Sequence, residues 1–340
     1  MAKIKVGFNG MGRIGKNVMR VIVEKFNDQI EIVAGNDLVP ADVIAKALPK
    51  DSIHGSFPCE VSLEGDNVIK IGDHSVTVYA EKDANNIPWG KHDVDVVFEC
   101  TGFYLGTDKC QAHLNAGAKK VIVSAPCKDD TKTVVIGVNA DTLTGAEKVV
   151  SNASCTTNCL APMTKAVDAS FEIISGLMCT THAATATQRV ADFFGGAKNR
   201  ATLNNIIPAS TGAAIAVGKV LPHLNGKLNG TALRVPTDTG SVVEVVYLLK
   251  GKVTKEEIAK AMTENAKAIN AQSPTGNVLY FGDYYECSRD CVGEAYTSMV
   301  TDNIVVVEAG DNTQVKMTSF YDNEMGFSNR MAELAQILTK

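Results

Sequence analysis

Ten prolines and one tryptophan in 340 residues, with no internal repeat and no low-complexity linker, exclude a collagen-like or disordered chain. Charge of one sign is also lacking. The 33 Lys and Arg against 38 Asp and Glu leave a net charge of -5, and no electrostatic excess favours nucleic acid or an anionic membrane. No stretch approaches the roughly 18 uninterrupted apolar residues that a membrane helix requires. The opening MAKIKVGFNG has no apolar core of signal-peptide length, so the expected location is the cytoplasm. The nine cysteines form an odd set without the paired spacing of a zinc site, which predicts reduced thiols and no metal.

What is present is ample material for a core, 45% hydrophobic residues against 21% charged, in a chain long enough for two domains at about 150 residues each. IKVGFNG, ending at Gly10, reads as a buried strand. Arg13–Phe26 carries Ile14, Val18, Val21 and Ile22 at helical spacing, and EIVAGND reads as the next strand. This β-α-β unit is followed by strand candidates at 94–100, 121–124, 133–138 and 149–154, which predicts an α/β, doubly wound parallel sheet. Three alternating runs over 59–80 are expected to form an antiparallel meander inserted at the surface. After Ser154 the texture changes. A helical stripe over 155–169, a strand over 172–182, long alternating strands at 241–250 and 303–307, and an amphipathic helix at 255–269 predict an α+β domain with a mixed sheet. The segment 327–338 places Phe327, Met331, Leu334 and Leu338 on one face of a final helix.

Gly10, Gly12 and Gly15 form G-x-G-x-x-G directly after a strand and at the opening of a helix. Gly10 permits the tight turn, Gly12 lets the backbone approach a pyrophosphate, and Gly15 allows close helix packing. The helix N-terminus supplies free N–H groups to the anion. The second strand ends in Asn36-Asp37, where an acidic side chain can accept hydrogen bonds from the adenine ribose and repel a 2'-phosphate. The expected cofactor is therefore NAD rather than NADP. Arg13 either offsets the pyrophosphate charge or is a solvated residue at a helix start.

Cys155, in SNASCTTNC, falls where a strand ends and a helix begins. The helix dipole and nearby N–H groups are expected to lower its pKa and raise its thiolate fraction. Cys159, one turn on, reads as core. His182 ends the strand MCTTH and is the candidate base for Cys155. The other five histidines have no comparable context. Arg200 and Arg234 lie near segments rich in hydroxyls or glycine, and either can hold a phosphate bidentately or form a surface ion pair.

GFNGMGRIG, NDL, SAP, SNASCTTNC, THAATATQ, NIIPASTGAA, LNGKLNG, LRVPT and YDNEMGFSNR occur in an order that resembles the phosphorylating glyceraldehyde-3-phosphate dehydrogenases. The resemblance runs from about Lys3 to the last helix. It implies a Rossmann-type NAD-binding domain formed by 1–154 and 318–340, with the final helix returning to it, and a catalytic domain formed by 155–317. It further implies that Cys155 attacks the aldehyde of glyceraldehyde 3-phosphate, that His182 is the base, and that inorganic phosphate cleaves the resulting thioester. By the same resemblance Thr185, Thr187 and Arg234 bind the substrate phosphate, and Ser154, Thr156, Thr211, Gly212 and Arg200 bind inorganic phosphate. Gly10, Gly12, Arg13, Ile14, Gly15, Asp37, Thr101, Ser124 and Asn323 belong to the cofactor site, Asn323 on the nicotinamide carboxamide. A homotetramer without an obligate nucleic acid or membrane partner is implied.

The chain departs from that family pattern in places. The loop Arg189–Arg200 is shorter and lacks the usual Trp-Arg pair, which bears on the cofactor and subunit contacts this loop normally makes. Ala184 replaces a larger residue, Ile215 stands where lysine is usual, and Phe327 stands where tyrosine or tryptophan is usual. The nearest rival is an erythrose-4-phosphate dehydrogenase, which releases a free acid by water attack. A second rival is a surface or RNA-binding role. A cysteine hydrolase leaves the dinucleotide motif unexplained, and a metal enzyme has no ligand cluster.

Overall fold

The computed structural model describes residues 2–340, which form two compact units. The first comprises residues 2–134, Thr142–Ala153 and Ser328–Lys340; the second comprises Val135–Asp141 and Ser154–Phe327.

In chain order the first unit carries β1 (Ile4–Asn9), α1 (Arg13–Val21) with a π turn over Ile22–Phe26, β2 (Ile30–Asn36) and α2 (Ala41–Ala47). A two-residue hairpin, β3 (Lys50–Asp51) and β4 (Gly55–Ser56), follows, then β5 (Val61–Glu64), β6 (Val68–Ile71) and β7 (His74–Tyr79). β8 (Val96–Glu99), α3 (Thr107–Asn115), β9 (Lys120–Val123) and β10 (Val149–Ser151) complete the sheet, in the order β10-β9-β8-β1-β2-β7-β6-β5. Every pair from β10 to β7 is parallel. A parallel strand is covered on both faces, which is why β1 reads as a continuous apolar run with Val6 and Phe8 fully buried. β2 lies on one side of β1 and β8 on the other, so the winding reverses at β1 and opens a crevice beyond the carboxyl ends of these three strands.

Two expectations are corrected here. The 59–80 meander is antiparallel within itself, but β7 pairs in parallel with β2 (Ala34↔Thr77, Asn36↔Tyr79), so it extends the sheet instead of decorating the surface. Its alternation buries Ile69, Ile71 and Val76 completely. The apolar run 133–138 is no strand. Apart from one bridge, Thr133 to Ser151, it passes as a buried loop with Gly137 at φ +85°. From Val135 on it belongs to the second unit, where Lys165 Nζ donates to the carbonyls of Gly137 (3.0 Å) and Val138 (2.7 Å). A short apolar run signals burial without specifying strand.

The second unit contains α4 (Cys155–Asp168), β11 (Ile173–Ala183), β12 (Ile207–Ser210), α5 (Ala213–Val220), β13 (Leu228–Val235) and β14 (Ser241–Leu249). α6 (Lys255–Asn270), β15 (Leu279–Gly282), β16 (Ser298–Thr301), β17 (Val305–Ala309) and β18 (Asn312–Tyr321) follow. The sheet order is β12-β13-β11-β14-β18-β16-β15, with β17 on β18, and the pairing is mixed: β11 runs parallel to β13 and antiparallel to β14. α4 packs on β11, β14, β16 and β18 and against α5 and α6. Met178, Val245 and Met317 point into this layer, whereas Leu177 and Val246 on the opposite face are exposed.

α7 (Met325–Leu338) is the last element, and its body from Ser328 belongs to the first unit. The boundary lies at Ser328 rather than at 318, because β18 pairs with β14 as far as Tyr321. Met331, Leu334 and Ala335 are fully buried, as is an ion pair between Arg330 Nη2 and Glu333 Oε1 at 2.8 Å.

Candidate active site

The crevice of the first unit is a cleft of about 380 Å³ whose lining includes Asn9, Gly10, Gly12, Asp37 and Thr101. Gly10 adopts φ +91°, and Gly15 lies so close beneath it that a Cβ there would fall 2.3 Å from the Gly10 carbonyl oxygen. A Cβ on Gly12 would meet no atom within 4 Å; its direction is open, as backbone approach to a pyrophosphate demands. Gly12 is also the N-cap of α1 and makes no side-chain cap bond to the start of the helix.

Asp37 is fixed by the glycine turn itself. Its Oδ2 accepts from Met11 N at 2.8 Å and its Oδ1 from Val39 N at 3.0 Å, and each oxygen keeps a second lone pair for a ribose hydroxyl. The residues present therefore fit NAD. Arg13 is committed elsewhere: it bonds Asp51, which Lys16 Nζ also meets at 3.2 Å. Burial would raise the Asp51 pKa, but the Arg13 bond and the His54 and Ile53 N–H groups outweigh it and hold the carboxyl below its usual range. Ile14 is half-buried on α1, and Ser124 contributes a hydrogen bond to the Cys100 thiol.

Beneath the cleft runs a buried polar chain that the sequence did not reveal. Trp89 Nε1 donates to His113 Nδ1 at 3.1 Å, so the proton on His113 is on Nε2, which donates to Glu99 Oε2 at 3.1 Å. Glu99, 1% exposed, also accepts from Asn9 Nδ2 (2.6 Å), from Thr101 N (2.7 Å) and from the Thr101 hydroxyl. Asn36 Nδ2 donates to Asn9 Oδ1 at 2.9 Å. Asn9 and Thr101 are thus oriented by a carboxylate buried beneath the cleft. Its signal was the apolar context of FECTG, and its partner His113 lies on a separate helix.

In the second unit Cys155 opens α4. Ser154 caps the helix, its Oγ accepting from Thr157 N at 3.1 Å. His182, on the inward face of β11, brings Nε2 to 3.4 Å from the Cys155 sulfur. Its Nδ1 is 2.8 Å from the Ala183 carbonyl oxygen and 2.7 Å from Arg234 Nη1. Tyr321 meets the imidazole edge-on, with centroids 5.9 Å apart, and its hydroxyl bonds those of Thr156 (3.0 Å) and Thr180 (2.9 Å). Tyr321 is a further residue that sequence reasoning missed.

The expected depression of the Cys155 pKa is corrected. Burial pushes the thiol up, and the Thr156 donors and Arg234 offset this only in part. Burial, and secondarily the Arg234 guanidinium, lowers His182 to about 4. Cys159 is core, its thiol bonded to Ser319 and pushed up to about 12 by burial.

Of the anion-site residues, Thr187 and Arg234 line one pocket of about 330 Å³. Thr185 is 3.1 Å from Thr187, hydroxyl to hydroxyl. Thr211 Oγ accepts from Ala213 N at 3.2 Å, one residue beyond Gly212, the N-cap of α5. Arg200 does not join Arg234: it is exposed and its Nε pairs with Asp192 at 2.9 Å. Asn323 is in the second unit, with Oδ1 accepting from Ser241 Oγ at 2.9 Å. Ser241 Oγ itself accepts from Ala183 N, so its proton goes to Asn323, and the Asn323 amide presents Nδ2 as donor on its other side. Among the described residues no group of three His, Cys, Asp or Glu can hold a metal, and no helix is long and apolar enough to cross a membrane.

A glycine turn at the switch point of a parallel sheet, an acidic side chain at the end of β2, and a thiol against an imidazole define an NAD-dependent oxidoreductase. Residues 4–107 match the family described as "Glyceraldehyde 3-phosphate dehydrogenase, NAD binding domain", and residues 154–323 match "Glyceraldehyde 3-phosphate dehydrogenase, C-terminal domain". The chain is 45% identical to a glyceraldehyde-3-phosphate dehydrogenase of Bacteroides fragilis over 98% of its own length and 99% of the relative's. It is 45% identical to that of Mycolicibacterium smegmatis over 99% of each chain, and 43% identical to glyceraldehyde-3-phosphate dehydrogenase 1 of Bacillus subtilis over 99% and 98%. The chain belongs to the glyceraldehyde 3-phosphate dehydrogenase family, and its cofactor is NAD.

Proposed function

We propose that the protein oxidises D-glyceraldehyde 3-phosphate with NAD and inorganic phosphate, yielding 1,3-bisphosphoglycerate in glycolysis. The observation that carries this reading is the 3.4 Å approach of His182 Nε2 to the Cys155 sulfur, beside a cationic pocket that contains Arg234. Arg234 Nη1, which can only donate, holds Nδ1 as an acceptor in the free protein; once Arg234 turns to the substrate phosphate, Nδ1–H is directed at the Ala183 carbonyl and the Nε2 lone pair faces the thiol. The thiol keeps its proton in the free enzyme, so attack on the aldehyde carbon passes that proton to Nε2. The Nε2–H then donates to the new hemithioacetal oxygen.

NAD, when bound, would supply the acceptor for the hydride on that carbon. As it leaves, His182 takes the hydroxyl proton and the carbon becomes a thioester on Cys155. A phosphate oxygen then attacks the thioester, the C–S bond breaks, and the acyl phosphate departs from the restored sulfur. Arg234, Thr185 and Thr187 hold the substrate phosphate; Ser154, Thr156, Thr211, Gly212 and Arg200 hold inorganic phosphate once Arg200 releases Asp192. Gly10, Gly12, Gly15, Asp37, Thr101 and Ser124 would hold NAD in the first unit, with Arg13 and Ile14 on the helix behind them, and Asn323 of the second unit would offer Nδ2 to the nicotinamide carboxamide.

The protein is proposed to act in the cytoplasm as a homotetramer. The exposed face of the second sheet, with Leu177, Val246, Val305 and Val307, supports association. The test is NADH formation from glyceraldehyde 3-phosphate and NAD with and without phosphate or arsenate, with Cys155→Ser as control. Phosphate-dependent turnover lost in the variant is expected. Turnover indifferent to phosphate would replace this reading by water attack and the erythrose-4-phosphate alternative.

A further inference from the structure

The pocket beside Arg234 contains more binding chemistry than the phosphate assignment uses. Arg189 and Lys198, from the atypical loop 189–200, line it together with Arg234, and no carboxylate does. The one acid of that loop, Asp192, is spent on Arg200 and on Ala201 N at 2.8 Å. Among the described residues neither Arg189 nor Lys198 forms an ion pair; Arg189 rests over the Phe193 ring, 5.1 Å from its centroid.

The neutral donors are equally uneven. Gln188 Oε1 accepts from Thr185 N at 2.9 Å and from the Thr185 hydroxyl at 2.7 Å. The Thr185 proton is therefore already used, and Thr185 Oγ faces Thr187 as an acceptor. The opposite end of the same amide, Gln188 Nε2, is buried and has no partner. A buried N–H pair left unmatched is costly unless something from outside accepts it. In the unliganded pocket the donors not already engaged are thus Gln188 Nε2, Arg189 and Lys198, whereas Thr185 and Thr187 reach the phosphate by exchanging their present bonds for it.

We propose that Gln188, Arg189 and Lys198 are specificity-determining residues that bind the substrate's phosphate ester, a dianion, in concert with Arg234. This rests on the reading of the Arg234 pocket as the substrate-phosphate site. The loop 189–200, which lacks the family's usual Trp-Arg pair, places these two cations at the pocket wall. Their preference for a phosphorylated aldehyde over its uncharged parent is the property that follows.

The experiment measures kcat/KM for glyceraldehyde 3-phosphate and for unphosphorylated D-glyceraldehyde in the wild type, Arg189→Gln, Lys198→Gln, Gln188→Glu and Arg189→Lys. Loss of one charge-assisted contact is expected to lower the ratio of the two kcat/KM values about tenfold, through KM for the phosphorylated substrate. Gln188→Glu, which replaces the donor by an oxygen but keeps the bond to Thr185, is expected to lower it at least as far, and Arg189→Lys to restore most of it. An unchanged ratio in all variants, or equal losses on both aldehydes, overturns the proposal. A wild type with no preference for the phosphorylated aldehyde would instead remove the Arg234 reading itself.

Discussion

At the scale of single residues, chemistry here is decided by which partners burial leaves available. His182 stays neutral to about pH 4 because imidazolium would be buried beside Arg234. In the unfolded chain the same imidazole takes a proton near pH 6.5, so folding stability is complete above that pH and falls as pH drops toward 4, by roughly 3 kcal/mol for this residue. Urea unfolding at pH 7 and pH 4.5 should therefore cost wild type more than His182→Gln; equal losses would show His182 unperturbed. The raised Cys155 thiol predicts that inactivation by iodoacetamide keeps accelerating beyond pH 8.5, and a plateau below neutrality would contradict it. Asp37→Ala should weaken NAD about tenfold, by the loss of ribose hydrogen bonds, and NADP much less. An unchanged NAD/NADP preference in titrations would withdraw the ribose assignment.

At the scale of elements, the turn from β1 into α1 separates two kinds of glycine. Gly15→Ala must move a backbone carbonyl 2.3 Å from its new methyl, and should destabilise the unit by about 1–3 kcal/mol. Gly12→Ala fills open space; it should leave the apo protein within ~1 kcal/mol of wild type while loosening NAD about tenfold. Thermal melts with and without NAD distinguish the two. Both glycines were legible as a motif, because tight turn and helix start are local events. The meander was legible as three strands but not as part of the sheet, since alternation reports a buried face and says nothing of the edge that accepts it.

At the scale of the molecule, the second sheet has helices on one face and on the other exposes Leu177, Val246, Val305 and Val307 around the charged Lys316. Val246→Asp and Leu177→Asp should leave the circular dichroism spectrum unchanged and shift sedimentation toward smaller species. A wild type that already sediments as a monomer would remove the tetramer from the proposal.

The sequence by itself determined what depends on near neighbours: the β-α-β unit, the glycine turn, Asp37 at the end of β2, the thiol at the start of α4, and the change of texture after Ser154. Each is set by residues within a turn or two, where sterics and helix dipoles act. Tertiary structure alone decided the rest. Glu99 acquires His113 and Trp89, Cys155 a raised pKa, Arg200 a competing carboxylate and Gln188 a buried free donor, because each outcome depends on residues that meet only when distant segments pack and exclude water. Burial strengthens every such contact and penalises every one left unmade, and burial is a property of the fold rather than of any window of the chain.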